Sequence, residues 1–117
     1  MMIQFSDDDK QIARITKALS HPARVYILRK LSKMNSCCYS GDLVDELPIA
    51  RSTLSQHLKE LKYSGLIQGE INPPYIKYCI NRESWMTAKR LLQNLLDGDQ
   101  LPENFSCEDP KELTSIK

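Results

Sequence analysis

The chain has 117 residues, which is long enough for one compact domain with its own hydrophobic core. Its net charge is only +1, but the acidic residues gather at the two ends, and residues 10–90 carry 14 Lys and Arg against 6 Asp and Glu. No apolar run is long enough to cross a membrane and no secretion signal opens the chain, so we expect a cytoplasmic protein whose four cysteines are thiols.

Apolar periodicity and helix breakers predict two helices in the first third of the chain. Acidic residues crowd the start of the first helix, which is expected over residues 7–19, and they suit the positive end of the helix dipole. Pro22 fits the first turn of a second helix, which is expected to run to about Met34. Residues 35–39 are then expected to form a turn or short loop.

A short helix, a turn and a longer helix are expected next. Ser40 can cap the short helix at its start, and Pro48 stops it. The longer helix covers roughly residues 51–64, and Gly65 lies just past its last periodic residue, where a helix end favours a positive φ. This order is typical of a helix-turn-helix, whose second helix enters the major groove of DNA.

The helix over 51–64 has one apolar and one polar face. Leu54, Leu58 and Leu61 recur at i, i+4 and i+7 and form the buried stripe. Hydroxyl, amide and cationic groups, which hydrogen-bond base edges and phosphates, occupy the other positions. His57 has two interpretations, a phosphate contact or a partner of the neighbouring helix, and any single lysine can equally be a solvated charge. The candidate DNA contacts of this helix are Arg51, Ser52, Thr53, Ser55, Gln56, His57, Lys59 and Lys62.

A hairpin is predicted after the helix-turn-helix. Two short β-type runs, 66–71 and 75–80, flank an Asn-Pro-Pro turn. Asn72 and Lys77 are plausible contacts to the DNA backbone or minor groove. The predicted fold is therefore mainly α with a small β-hairpin wing, a winged helix-turn-helix of element order α-α-α-α-β-β-α.

The last predicted helix carries more apolar surface than so small a core can hide. It is expected over about 82–97 after an N-cap at Asn81, and its leucine pairs suggest a helix that is apolar on more than one side. A homodimer formed through the first and last helices would bury this surface, although the same leucines can also cap a monomer core. We therefore expect a DNA-binding and dimerisation domain over 1–97 and an acidic C-terminal tail over 98–117.

Several motifs, in the right order, resemble the ArsR/SmtB family of bacterial metalloregulators. The resemblance covers about residues 10–97, and it implies a homodimeric winged-helix repressor. Members of this family bind operator DNA without a cofactor and leave it when an inducer, often a metal ion, binds. The segments that carry the resemblance are ALSHPARVYILRKL at 18–31, GDLVDEL at 41–47, STLSQHLKEL at 52–61 and SGLI at 64–67.

Two departures from the family bear on the site. A small hydroxyl residue often precedes the recognition helix, where this chain has Ala50. Because Ala is a poor N-cap, Ser52 is expected to cap the helix instead. Thiolate-sensing members usually carry Cys-x-Cys where this chain has Tyr-Ser-Gly at 39–41, and here the cysteines lie upstream, at Cys37 and Cys38.

The cysteines favour a soft ion as the inducer. As(III) and Sb(III) prefer thiolates, and the last helix has no histidine with which to build a zinc site. Cys37 and Cys38 can supply two thiolates beside the helix-turn-helix, and Cys107 in the tail is the expected third ligand. Cys79 in the wing strand is interpreted as a small buried apolar residue. The favoured function is a repressor released by As(III), Sb(III) or another soft metal ion.

Other classes of function were weighed against this one. Some relatives sense sulfane sulfur or oxidants by linking a cysteine near the second helix to one near the C-terminus, and Cys38 with Cys107 can do this. A winged helix used only for protein contacts is another alternative, which salt-sensitive DNA binding would exclude. Catalysis is not expected, because Cys37 and His57 are the only conceivable nucleophile and base, and no phosphate loop, HExxH or GxSxG motif occurs.

Overall fold

A three-stranded antiparallel sheet lies beside a set of helices in the computed structural model, which describes residues 2–34, 37–72, 75–97 and 101–104. The predicted winged helix-turn-helix is confirmed, and it contains one strand more than the sequence predicts. The elements in chain order are α1 (Asp7–Ala18), α2 (Pro22–Ser32), β1 (Cys38–Tyr39), α3 (Ser40–Glu46), α4 (Arg51–Tyr63), β2 (Ile67–Asn72), β3 (Tyr75–Ile80) and α5 (Arg82–Leu95).

The additional strand is β1, which forms one edge of the sheet. The strand order is β1-β3-β2, and β1 pairs antiparallel with β3 so that Cys38 lies opposite Tyr78. The expectation of a turn or loop over 35–39 is therefore wrong for residues 38 and 39, while residues 35 and 36 lie outside the described ranges. Two residues are too few to show the alternation that identifies a strand, and the partner strand lies far along the chain.

The predicted hairpin is confirmed. β2 and β3 pair antiparallel from Ile67 opposite Ile80 to Asn72 opposite Tyr75. The strands follow directly on α4, because Gly65 adopts a φ of 86° and turns the chain out of the helix. That positive φ is the helix-end conformation predicted for this glycine.

Side chains cap the starts of three helices. At α1 the Ser6 hydroxyl accepts a hydrogen bond from the Asp9 N–H at 3.0 Å, while the Asp9 carboxylate accepts from the Ser6 N–H at 3.2 Å. At α2 the His21 Nδ1 accepts from the Ala23 N–H at 3.0 Å, so the residue that precedes Pro22 caps this helix. The predicted N-cap of α5 is confirmed, because Asn81 Oδ1 accepts from the Ser84 N–H at 3.2 Å.

The core brings all five helices and the start of the wing together. Leu54 and Leu61 of α4 are fully buried and meet Ile27 of α2 and Leu43 of α3, so the predicted leucine stripe faces inward. In α5 the buried residues are Ala88 and Leu91, whereas Leu95 and Leu96, one of the leucine pairs of this helix, are exposed. No helix in the described ranges is both long enough and apolar enough to span a membrane.

Polar contacts hold α3 against α2. Lys30 and Glu46 form an ion pair, and the Tyr26 hydroxyl donates a hydrogen bond to Glu46 Oε2 at 3.2 Å. The hydrogen bond from Lys30 is the main reason why the pKa of Glu46 lies below its ordinary value. These surface contacts therefore link α2 to α3, the first helix of the helix-turn-helix.

Candidate nucleic-acid interface and cysteine pair

The candidate interface begins at the start of α4. Ala50 is the N-cap, in extended conformation, and its side chain makes no capping hydrogen bond. The helical pattern nevertheless begins there, because the Leu54 N–H donates to the Ala50 carbonyl at 3.0 Å. Ser52 lies inside the first turn, so the expectation that it caps the helix is wrong.

The outward surface of α4 is polar and cationic. Its apolar stripe is buried, which leaves the other positions to solvent. Such a surface presents hydroxyl and amide groups that suit base edges and cations that suit phosphates. The sequence-predicted contacts that the structure exposes are Arg51, Ser52, Thr53, Ser55, Gln56, Lys59 and Lys62.

His57 lies on the opposite, inner side of α4. Its side chain is only 8% exposed, and its ring centroid lies 4.3 Å from that of His21 at the start of α2. The assignment of His57 as a DNA contact is therefore wrong, and of its two interpretations the structure favours contact with the neighbouring helix. The signal was available in the spacing, because residue 57 follows Leu54 by three positions and so falls on the buried stripe.

Lys62 joins the helix to the wing. A methyl group placed on Gly69 of β2 would lie 3.4 Å from Lys62 Nζ and 3.6 Å from Tyr78 Cε1, so the ammonium lies against the wing strand. Burial raises the pKa of the Tyr78 phenol above its ordinary value. The positive charge of Lys62 thus lies where the recognition helix and the wing meet.

The two wing candidates occupy different positions in the sheet. Lys77 lies in the central strand, where its Cα partners are Glu70 of β2 and Tyr39 of β1. Asn72 is the last residue of β2, and residues 73 and 74, which follow it, fall outside the described ranges. Both candidates are therefore on the wing, as predicted, and their contact with DNA stays a prediction.

The structure joins Cys37 and Cys79 in a disulfide. The expectation of free thiols is wrong for this pair, and so is the interpretation of Cys79 as a mere buried apolar residue. The cause is the unpredicted strand: Cys38 lies opposite Tyr78 in the antiparallel register, so residue 37 falls opposite residue 79, and the two Cα atoms are 4.4 Å apart.

The predicted set of three thiolate ligands is not assembled in the described part of the chain. Those residues contain no group of three or more His, Cys, Asp and Glu side chains that can hold a metal ion. Cys37 is engaged by Cys79, and Cys107 lies outside the described residues. Cys38, in β1, and Cys107 accordingly remain predicted ligands.

An open groove lies beside the disulfide. It has a volume of about 560 Å³, and Cys37, Cys79 and Gln68 line it together with Met34 and Trp85. The Gln68 Nε2 donates a long hydrogen bond of 3.9 Å to Cys79 Sγ. Both cysteines are half-buried, so their sulfur atoms border a space that small reagents can enter.

A second groove is apolar and runs between α1, α2 and α5. It has a volume of about 450 Å³ and is lined by Leu19, Leu28, Trp85 and Leu92 among others. Beyond it, Leu95 continues the apolar face of α5 into solvent. The monomer core therefore leaves part of this helix face uncovered.

Comparison with known proteins adds an independent line of evidence. The family model described as "Bacterial regulatory protein, arsR family" matches residues 21–68, which extend from the start of α2 into β2. The chain is 31% identical over 94 residues to the HTH-type transcriptional regulator YgaV of Escherichia coli, covering 80% of this chain and 94% of that protein. It is 29% identical over 102 residues to an arsenical resistance operon repressor of Staphylococcus xylosus, covering 87% and 93%. Among solved structures, HlyU from Vibrio cholerae aligns with a TM-score of 0.62 at 25% identity, over 79% of this chain and 98% of that one.

Proposed function

Because this chain belongs to the arsR family of bacterial regulatory proteins, we propose that it is a homodimeric repressor released from operator DNA when As(III), Sb(III) or another thiophilic ion binds its cysteine thiolates. It is a transcriptional regulator and not an enzyme. The observation that carries the DNA-binding part is the division of α4 into a buried leucine stripe and an exposed polar and cationic surface.

The proposed reading of DNA follows from the chemistry of that surface. In the major groove, Gln56 can bond adenine through two hydrogen bonds and Arg51 can do so with guanine. Each such pair contributes about 1–3 kcal/mol of discrimination. Lys59 and Lys62 are assigned to phosphates, which position the helix without reading sequence. Asn72 and Lys77 would extend the contact from the wing.

The proposed dimer uses α1 and α5, within a DNA-binding and dimerisation domain over 1–97. Its support is the apolar groove between α1, α2 and α5, together with the exposed leucines at the end of α5. A twofold dimer presents two recognition helices to two half-sites, so it multiplies the contacts of one protomer. We propose that this dimer acts on the chromosome in the bacterial cytoplasm.

The proposed inducer is a soft ion, and As(III) is favoured. One relative carries the name of an arsenical resistance operon repressor, and thiolates are the ligands that such ions prefer. Cys37 and Cys38 lie just before α3, from which Tyr39 separates them, so an ion bound there would pull on the first helix of the helix-turn-helix. Cys37 supplies a thiolate only when its disulfide is reduced, and Cys107 of the acidic tail over 98–117 is the proposed third ligand.

The experiment uses reduced protein on a labelled fragment of the DNA upstream of its own gene. Fluorescence anisotropy is followed while arsenite or antimonite is added, and again across a salt series. Salt-sensitive binding followed by release at about one ion per site supports the proposal, provided that Cys38→Ser abolishes the release. Tight binding without release would support a DNA-binding repressor but contradict a metalloid as its inducer. A lack of salt-sensitive binding to DNA would favour a winged helix that is used for protein contacts.

A redox or persulfide sensor built on Cys38 and Cys107 is the second candidate. The observation in its favour is the disulfide between Cys37 and Cys79, which supports a role for thiol chemistry beside β1. Peroxide-dependent release from DNA that survives Cys79→Ser and disappears in Cys107→Ser would support it over metalloid sensing.

A further inference from the structure

We propose that Cys37 and Cys79 form a reversible dithiol–disulfide switch that fixes the wing to the helix-turn-helix, so that DNA affinity follows the oxidation state of this pair. The proposal rests on the proposed DNA-binding function. It differs from oxidation of Cys38 with Cys107 because it involves other cysteines, restrains β3 and is expected to strengthen DNA binding. Its starting observation is the disulfide between the connection that follows α2 and the strand β3.

The position of the bond in the chain is the first argument. The two cysteines are 42 residues apart, and α3, α4 and β2 all lie between them. The disulfide therefore closes a loop that contains both helices of the helix-turn-helix and the first wing strand. A covalent bond at the base of this loop limits how far the wing can move relative to α4.

The shortness of the pairing between β1 and β3 is the second argument, since the rest of the wing is held at its base, where Ile67 and Ile80 pack with the core. β1 pairs with β3 through only two residue pairs, Cys38 with Tyr78 and Tyr39 with Lys77. So short a strand is marginal without further support. Lys77, a candidate DNA contact, lies in one of these pairs and two residues from Cys79, so loosening β1 would loosen the part of the wing that is proposed to contact DNA. The oxidised protein should hold the wing in place and bind the operator more tightly.

Access to the sulfur atoms is the third argument. Both cysteines border the groove of about 560 Å³, which is open enough for a small peroxide or a thiol reductant. Two groups of Gln68 lie near the sulfur of Cys79 and can interact with it in the reduced protein. The side-chain Nε2 lies 3.9 Å from Sγ and can donate to a thiolate, and the backbone carbonyl oxygen lies 4.0 Å from Sγ and can accept from a thiol.

The chemistry of the switch is balanced with a peroxide as oxidant. One thiolate attacks a peroxide oxygen, which breaks the O–O bond, gives a sulfenic acid and, after protonation of the leaving oxygen, releases water. The other cysteine sulfur then attacks the sulfenic sulfur, the S–S bond forms and a second water leaves. Two thiols thus lose two electrons and two protons to hydrogen peroxide, and a dithiol reductant reverses the reaction by exchange.

The test measures thiols and DNA affinity on the same full-length protein. Reduced and peroxide-treated samples are alkylated and mapped by mass spectrometry, and the Kd for the labelled upstream fragment is measured for each. We expect peroxide to remove the thiols of Cys37 and Cys79 together and to lower the Kd at least about fivefold, the scale of a typical coupling between two sites. Dithiothreitol should restore both values.

Matched variants decide the outcome. Cys37→Ser and Cys79→Ser should keep the Kd of the reduced protein in both conditions, whereas Cys38→Ser, next in sequence to Cys37, should respond like the wild type. Equal Kd values for the reduced and disulfide-bonded wild type would overturn the switch, and so would a response that depends on Cys38. If neither state binds DNA while the disulfide forms, it is the proposed repressor function that fails, and the proposed coupling fails with it.

Discussion

The inner side of α4 holds an imidazole where its neighbours along the stripe are leucines. His57 is buried, and its Nε2 has no hydrogen-bond partner among the described residues. Burial lowers the pKa of His57, and electrostatic repulsion from His21 and Arg24 lowers it further. The folded protein therefore favours the neutral ring, and protonation of His57 opposes folding.

We expect the stability of the protein to fall on acidification because of this ring. The pKa of His57 in the folded state lies below its ordinary value of 6.5, so the unfolded chain takes up the proton first as the pH drops. The free energy of unfolding is therefore unaffected by the titration of His57 above about pH 6.5, and it decreases progressively below that pH. Thermal unfolding from about pH 8 to about pH 5 should show a shallower decline in His57→Gln than in the wild type. Parallel curves would assign the acid sensitivity to other groups.

Gln56 lies on the outer side of the same helix, and its exposed amide allows a sharper test of DNA readout. We expect Gln56→Ala to weaken operator binding by about 1–3 kcal/mol and to leave binding to random DNA nearly unchanged. Lys59→Ala is the control, because loss of a phosphate contact should weaken both kinds of DNA alike and reduce the salt dependence. Anisotropy titrations with operator DNA and with random DNA measure both affinities. If Gln56→Ala weakens binding to the two DNAs equally, Gln56 does not read a base.

Among the secondary-structure elements, the helices can be predicted from the local sequence pattern, whereas the edge strand β1 cannot. Local features of the sequence predict the helices, because each of them depends on residues that are close together in the chain. Examples are the leucine stripe of α4, Pro22 at the start of α2 and the cap at Asn81. β1 forms only because β3, some forty residues later, offers it a partner, and the Cys37–Cys79 bond follows from that pairing. His57 is a different case, because its local spacing places it on the buried stripe and only its polar residue type suggested an exposed position.

The start of α4 offers an element-scale prediction. Ala50 lacks a side chain that can accept a hydrogen bond from the first turn. Ala50→Ser should therefore raise the free energy of unfolding by about 1 kcal/mol, measured by urea denaturation at equal protein concentration. Ser52→Ala is the matched control: Ser52 lies within the helix and should change stability by less than about 0.5 kcal/mol. A larger loss in the control would show that Ser52 caps the helix after all.

The two sides of α5 allow a test of the proposed dimer. Leu95 is 55% exposed and Met86 is 57% exposed, but they lie nine residues apart and so point to opposite sides of the helix. Leu95 follows Leu92 of the apolar groove by three residues. We expect Leu95→Glu to give a folded monomer with weakened operator binding, and Met86→Glu to stay dimeric. Light scattering after size exclusion gives the mass, and a Leu95→Glu dimer would place the interface elsewhere.

The disulfide acts on the whole molecule because it restrains the unfolded chain as well as the folded one. Closing a loop between residues that are 42 apart removes conformational entropy from the unfolded state, and this stabilises the fold by about 4 kcal/mol. Reduction should therefore shift urea denaturation of the wild type to lower concentration. Cys79→Ser should unfold near the reduced wild type with or without reductant, whereas Cys38→Ser should retain the shift. If the oxidised wild type unfolds no later than Cys79→Ser, the loop that encloses α3, α4 and β2 does not limit the unfolded chain, and the bond would then act on the position of the wing alone.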